Sequence, residues 1–164
     1  MRCTTGHRGA VWSLAFAGDS NRLVSSGQDQ CIRVWTLDQA QLCATLSGHD
    51  NRVIAVAVCP HDRLIASGSD DRTVRIWDLA TGSCRHMLTG HTRSVIGVAF
   101  HPDGERLISG SEDGTVLIWD SRTGTCLKRL ATPRPYDGLD LTGATGLTTA
   151  QRASLIALGA RDEA

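Results

Sequence analysis

A histidine, a serine and an aspartate recur together three times in this chain, as His7, Ser25 and Asp29, then His49, Ser67 and Asp71, then His91, Ser109 and Asp113. Those three residue types can do hydrolytic chemistry, with serine as nucleophile, histidine as general base and aspartate orienting the imidazole. The spacing argues against that use. Each member returns after 42 residues, and so do Gly6, Gly48 and Gly90 and the tryptophans Trp35, Trp77 and Trp119. A hydrolytic site is built once and its nucleophile sits in an open cleft, whereas a set copied once per repeat is architecture. The Gly-x-Ser-x-Gly turn of a nucleophile elbow is absent, and the nearest string, Ser67-Gly68-Ser69, lies in a strand pattern. No residue is therefore assigned a catalytic role, and an esterase assay is expected to be blank.

Other chemistries meet the same test. Cys84 and Cys126 fill one repeated slot, Cys43 lies one place off it, Cys31 occupies the slot of Thr73 and Thr115, and Cys59 ends a first strand. None forms Cys-x-x-Cys, and His49, His61, His86 and His101 lack metal-ligand spacing to them. Small buried hydrophobes are expected at these positions, with no metal. Lys128 is the one lysine, so no Gly-Lys-Ser/Thr phosphate loop exists, and no cofactor is expected.

Composition closes further doors. Lys+Arg 17 balance Asp+Glu 17 in 164 residues, so the chain lacks the excess positive charge that a nucleic-acid or anionic-membrane partner would need. The arginines scatter over strands and turns, which reads as solvated faces and apolar stems. No apolar run approaches the ~18 residues of a membrane span, and no apolar signal core precedes Gly6-His7. Six cysteines without a signal read as reduced thiols in the cytoplasm.

The elements that carry these residues follow from one repeat. In the third, Val95–Phe100 is short, apolar and rich in β-branched residues, and His101-Pro102-Asp103-Gly104 is a turn. Arg106–Gly110, a turn at Glu112-Asp113-Gly114, Thr115–Asp120, a turn at Arg122-Thr123-Gly124, and Cys126–Leu130 complete four short strands. No helical period interrupts them. A four-stranded antiparallel meander repeated every 42 residues predicts propeller blades.

Gly-His near the start of each copy, Asp in the second hairpin turn and Trp-Asp closing the third strand (Trp77-Asp78 and Trp119-Asp120, with Trp35-Thr36 departing in the first) resemble the WD40 repeat family over roughly three-quarters of the chain. The resemblance implies an all-β, WD40-type propeller fragment of three four-stranded antiparallel blades. They are expected at residues 6–47, 48–89 and 90–131, with residues 1–5 ending the fourth strand of a preceding blade. It also implies that His, Ser, Asp and Trp of each copy form one hydrogen-bonded set: His7, Ser25, Asp29, Trp35; His49, Ser67, Asp71, Trp77; His91, Ser109, Asp113, Trp119. The chemistry suits this, since aspartate accepts, imidazole and hydroxyl both donate and accept, and indole N–H donates.

In WD40 proteins, partner contacts often come from three positions per repeat: two residues before the first-strand bulge, at the bulge, and just before the turn Asp. Here they are Ala10, Trp12 and Gln28; Arg52, Ile54 and Asp70; Ser94, Ile96 and Glu112. Trp12 is the sharpest of them, an aromatic of the kind that dominates interfaces. A protein or peptide on a propeller rim is the expected partner, and a non-catalytic scaffold the expected function. Three blades cannot close a ring of about four to eight, which predicts either the C-terminal part of a longer propeller protein or a subunit that completes a ring by self-association.

Residues 132–164 leave the period. Pro133 and Pro135 remove ladder donors, residues 137–146 read as loop, and Thr148 with Gln151 forms a capping box for a helix over 149–158 that ends at Gly159 and packs through Leu155 and Leu158. The tail string is similar to the C-termini of some bacterial WD-repeat proteins that join an NTPase to a propeller. A ligand-sensing end of a signalling NTPase, whose NTPase module this chain lacks, is therefore the alternative.

Overall fold

β-Branched and apolar residues in short alternating runs, cut by turn residues, favour antiparallel meanders over helices. The computed structural model describes residues 6–18, 21–60, 64–131 and 139–162. Twelve strands run in order: β1 (Val11–Phe16), β2 (Arg22–Gly27), β3 (Cys31–Thr36), β4 (Gln41–Ser47), β5 (Val53–Val58), β6 (Leu64–Ser69), β7 (Val74–Asp78), β8 (Cys84–Leu88), β9 (Val95–Phe100), β10 (Arg106–Ser111), β11 (Thr115–Asp120) and β12 (Cys126–Ala131). They form three four-stranded sheets, each in sequential order, β1–β4, β5–β8 and β9–β12. Among the described residues, the fold is an all-β propeller fragment with one short helix.

The turns explain the connectivity. The second hairpin turn of each sheet holds a left-handed residue at Gln30, Arg72 or Gly114. Only the third is a glycine, so the first two turns hold a side chain in a conformation that L-residues seldom adopt. The aspartate beside the slot supports it, as where Asp71 Oδ1 accepts from Thr73 N at 2.9 Å.

The core lies between sheets. Val24, Ile32, Val34 and Leu46 of the first sheet pack on Val53, Val56, Ile65 and Trp77 of the second. Ala66, Val74, Ile76 and Leu88 of the second pack on Val95, Leu107, Leu117 and Trp119 of the third. First strands pack side by side, β1 on β5 and β5 on β9, so each fourth strand forms the outer edge of its sheet.

That edge corrects one expectation. Cys43, Cys84 and Cys126 are exposed and Cys31 is half-buried; only Cys59 is buried as expected. The three exposed thiols sit on β4, β8 and β12, and among the described residues no further strand pairs beyond these.

Residues 131–164 form a second unit. Residues 132–138, including Pro133 and Pro135, and residues 1–5 lie outside the described residues. The helix α1 (Thr149–Ala157) has the expected capping box, with Thr148 Oγ1 accepting from Gln151 N at 3.2 Å and Gln151 Oε1 accepting from Thr148 N at 2.9 Å. None of its residues is buried. The loop ahead of it is tied down by a bridge between Asp140 and Arg161, and Arg152 pairs with Asp162 at 2.6 Å.

Candidate functional site

Each histidine precedes a first strand, each serine lies in mid second strand, each aspartate in the next turn, and each tryptophan on the third strand. Antiparallel pairing folds these four positions onto one spot. In the first sheet, His7 Nδ1 lies 2.7 Å from Asp29 Oδ1, His7 Nε2 lies 2.7 Å from Ser25 Oγ, and Trp35 Nε1 donates to Ser25 Oγ at 2.8 Å. The second sheet repeats this with 2.7 Å (His49–Asp71), 2.7 Å (His49–Ser67) and 2.9 Å (Trp77–Ser67). The third has 3.2 Å (His91–Asp113), 2.8 Å (His91–Ser109) and 2.8 Å (Trp119–Ser109). Aspartate also accepts from the backbone after each histidine, at Arg8, Asp50 and Thr92, which fastens the loop to the turn.

Serine, histidine and aspartate thus stand in the order and reach of a hydrolytic relay. The serines differ from nucleophiles in two respects. Ser25, Ser67 and Ser109 are buried, and each oxygen already accepts an indole N–H while facing imidazole.

The electrostatics fit a locked set. Burial alone would raise Asp71, yet hydrogen bonds from His49 and from the Thr73 side chain and backbone outweigh it and hold the carboxyl well below the usual carboxylate range. Asp29 is held down in the same way by His7, the Arg8 backbone and Arg33, and Asp113 by Thr115, the Thr92 backbone and His91.

A fifth member escaped the sequence reading. Thr73 Oγ1 donates to Asp71 Oδ1 at 2.7 Å, and Thr115 Oγ1 to Asp113 Oδ1 at 2.6 Å. Their shared slot was the available signal, and Cys31 occupies it in the first copy. There Arg33 replaces the hydroxyl, its Nη1 donating to Asp29 Oδ2 at 2.6 Å. Arg33 is therefore part of the first set, and Arg75 lies over the Trp77 ring at 6.0 Å. Neither is the solvated arginine expected from the scatter.

The rim positions are organised by a bulge. The β1–β2 register pairs Val11 with Gly27 and Ser13 with Ser26, passing over Trp12. Ile54 is passed over between Val53 and Ala55, and Ile96 between Val95 and Gly97. The flanking positions are pinned by the backbone: Gln28 N donates to Ala10 O, Asp70 N to Arg52 O and Glu112 N to Ser94 O, at 2.8, 3.1 and 3.0 Å. Trp12 is 48% exposed and Ile96 53%, while Ile54 is half-buried.

Three of these residues meet across two blades. The Arg52 guanidinium lies 5.7 Å from the Trp12 ring centroid, and Arg52 Nε donates to Asp70 Oδ2 at 2.6 Å. Ala10 and Gln28 stay within their own blade, as do Ser94 and Glu112, with Arg93 and Glu112 3.9 Å apart. Among the described residues, no three His, Cys, Asp or Glu side chains could hold a metal ion, and no helix is long and apolar enough to cross a membrane.

The WD domain, G-beta repeat family matches residues 1–36, 40–78 and 82–120. The chain belongs to the WD40 repeat family. One of the proteins it resembles is the "Probable cytosolic iron-sulfur protein assembly protein Ciao1" of Aedes aegypti, 39% identical over 41 residues, covering 25% of this chain and 12% of that protein. Among solved structures, "Structure of U3-55K" superposes with a TM-score of 0.76 at 23% identity, over 78% of this chain and 41% of that one. This WD40 chain thus spans well under half of either relative, and the second likeness speaks for the fold alone.

Proposed function

We propose that this WD40 chain is a protein-interaction scaffold without catalysis of its own, and that a protein or peptide docks on the rim at Trp12, Arg52 and Asp70. The observation that carries the reading is the assembly of an exposed tryptophan, an arginine stacked near it and a carboxylate fixing that arginine, built from two blades. The salt bridge neutralises the patch and orients the guanidinium, so an apolar or aromatic side chain flanked by a hydrogen-bonding group fits better than a highly charged ligand. Ile96 extends the apolar character along the rim. The remaining rim positions, Ala10, Gln28, Ile54, Ser94 and Glu112, would frame it. The buried, saturated serines support a structural role for the His-Ser-Asp-Trp sets.

The match to Ciao1 spans about one repeat, so it supports the repeat and not a role in iron–sulfur assembly. A cytosolic setting accords with that relative's name and with the free thiols. The sensor of a signalling NTPase draws on the tail string alone and finds no support in the family match or the relatives.

Affinity capture with the full chain tests the proposal, comparing wild type with Trp12→Ala and, as a control on the exposed β12, Lys128→Ala. A partner retained by wild type and Lys128→Ala but lost by Trp12→Ala is the expected result. Identical capture by all three would overturn the placement.

A further inference from the structure

The polar atoms around Trp12, Arg52 and Asp70 divide unevenly into donors and acceptors. Arg52 Nε donates to Asp70 Oδ2 at 2.6 Å, and the guanidinium lies 5.7 Å from the Trp12 ring centroid. That occupies one N–H and one flat face. The remaining N–H groups, on Nη1 and Nη2, donate to no described residue, and the Arg52 side chain is 47% exposed. Trp12 Nε1, which only donates, likewise has no partner among the described residues.

The acceptors beside them are already engaged. Asp70 Oδ2 takes Arg52 Nε, and the Asp70 side chain is only 11% exposed. Asn51 accepts twice, its Oδ1 from Arg52 N at 2.8 Å and its backbone oxygen from Ser69 Oγ at 3.2 Å. Arg52 O accepts from Asp70 N at 3.1 Å, and Ala10 O from Gln28 N at 2.8 Å. Gln28 Oε1 accepts from Ala10 N at 3.3 Å. The exposed side-chain amides of Asn51 and Gln28 therefore keep their NH2 groups, again donors.

The skew is local. The places of Arg52 in the other copies hold Ala10 and Ser94, neither of them charged. Two residues from Ala10, Arg52 and Asp70 stand Arg8, Asp50 and Arg72, all exposed, with a positive balance between them.

A surface that offers N–H groups and almost no free acceptor matches a group that accepts and does not donate. A lysine or arginine only donates, finds no partner here, and meets Arg52 as a like charge. A carboxylate only accepts, and its two oxygens match the two-pronged Nη1 and Nη2 edge of a guanidinium. Asp70 already offsets the charge of Arg52, so one carboxylate is matched and a dense acidic run is not.

Resting on the rim reading, we propose that the partner presents a peptide segment with a single acidic side chain, Asp or Glu, next to an aromatic or large apolar one. The apolar group packs on Trp12 and the carboxylate takes the Nη1 and Nη2 edge of Arg52. Asp70 holds the guanidinium from its Nε side, so that edge is already ordered when the partner arrives.

Selection of a random peptide library against the full chain, with counter-selection on Trp12→Ala, tests it. Peptides kept by wild type alone are expected to join an aromatic or large apolar residue to Asp or Glu. One of them, made in its acid form and with the matching amide, is then titrated by fluorescence anisotropy against wild type and Arg52→Gln, with circular dichroism as the check on folding. Loss of a charge-assisted pair should weaken wild-type binding of the amide form about tenfold. Arg52→Gln should bind both forms alike and weakly. Trp12-dependent peptides that are basic or carry no acid leave the rim in place and overturn the carboxylate. So does equal binding of the two forms by wild type, or an acid preference that survives in Arg52→Gln. Absence of any Trp12-dependent peptide removes the rim placement and this inference with it. Should Arg52→Gln lose its strand spectrum, Arg52→Lys, which keeps the charge without the fork, takes its place, and an undiminished acid preference there is the overturning result.

Discussion

Replacing Ser109 by alanine removes the centre of one polar set. Its oxygen accepts from Trp119 Nε1 at 2.8 Å and faces His91 Nε2 at 2.8 Å. Both partners are almost wholly buried, the Trp119 residue at 2% and the His91 side chain at 1%, so water cannot substitute. An unpartnered buried polar group costs ~1–3 kcal/mol, and two of them place the loss at about 2–6 kcal/mol. Ser25→Ala removes the same bonds in the first sheet, but Trp35 is only half-buried and its indole can turn to solvent. There the loss should be about 1–2 kcal/mol. Urea unfolding followed by tryptophan fluorescence at fixed protein concentration gives both values. A Ser109→Ala midpoint within about 0.5 kcal/mol of wild type would refute the reasoning.

Two further outcomes follow from the geometry. Asp29, Asp71 and Asp113 are held below their unfolded value of 3.8, so their contribution is complete above that value and is lost as pH falls below it. Each can add a slope of up to about 1.4 kcal/mol per pH unit. Asp113→Asn should flatten the acid limb of the stability curve, and an unchanged slope would remove Asp113 from the account. Gly68→Ala forces a methyl group to 2.6 Å from Val95 Cγ1 and 3.2 Å from its carbonyl oxygen, for a loss of ~1–3 kcal/mol by overpacking, which thermal melts measure.

The strict period made the three sheets and the members of each polar set readable, because identical spacing brings His, Ser, Asp and Trp to identical places in identical meanders. The capping box at Thr148 was readable for a local reason, since its two hydrogen bonds span only three residues. The misreadings share another origin. Burial of Cys43, Cys84 and Cys126 depends on whether a strand lies beyond the fourth one, which no local pattern states. Arg33 enters the first set only because Cys31 lacks the hydroxyl of Thr73 and Thr115, a substitution whose effect appears once β3 lies beside the turn. Trp12 and Arg52 hold different positions in their repeats, so periodicity could not pair them. Their meeting depends on how one sheet is set against the next.

The skipped residue in each first strand has a consequence for how such a surface can change over time. Trp12, Ile54 and Ile96 stand outside the pairing of β1, β5 and β9. Exchange at these sites therefore disturbs neither the alignment of strands nor the polar anchor beneath them. Recognition and support are inherited separately: the scaffold can stay constant while three protruding letters are rewritten.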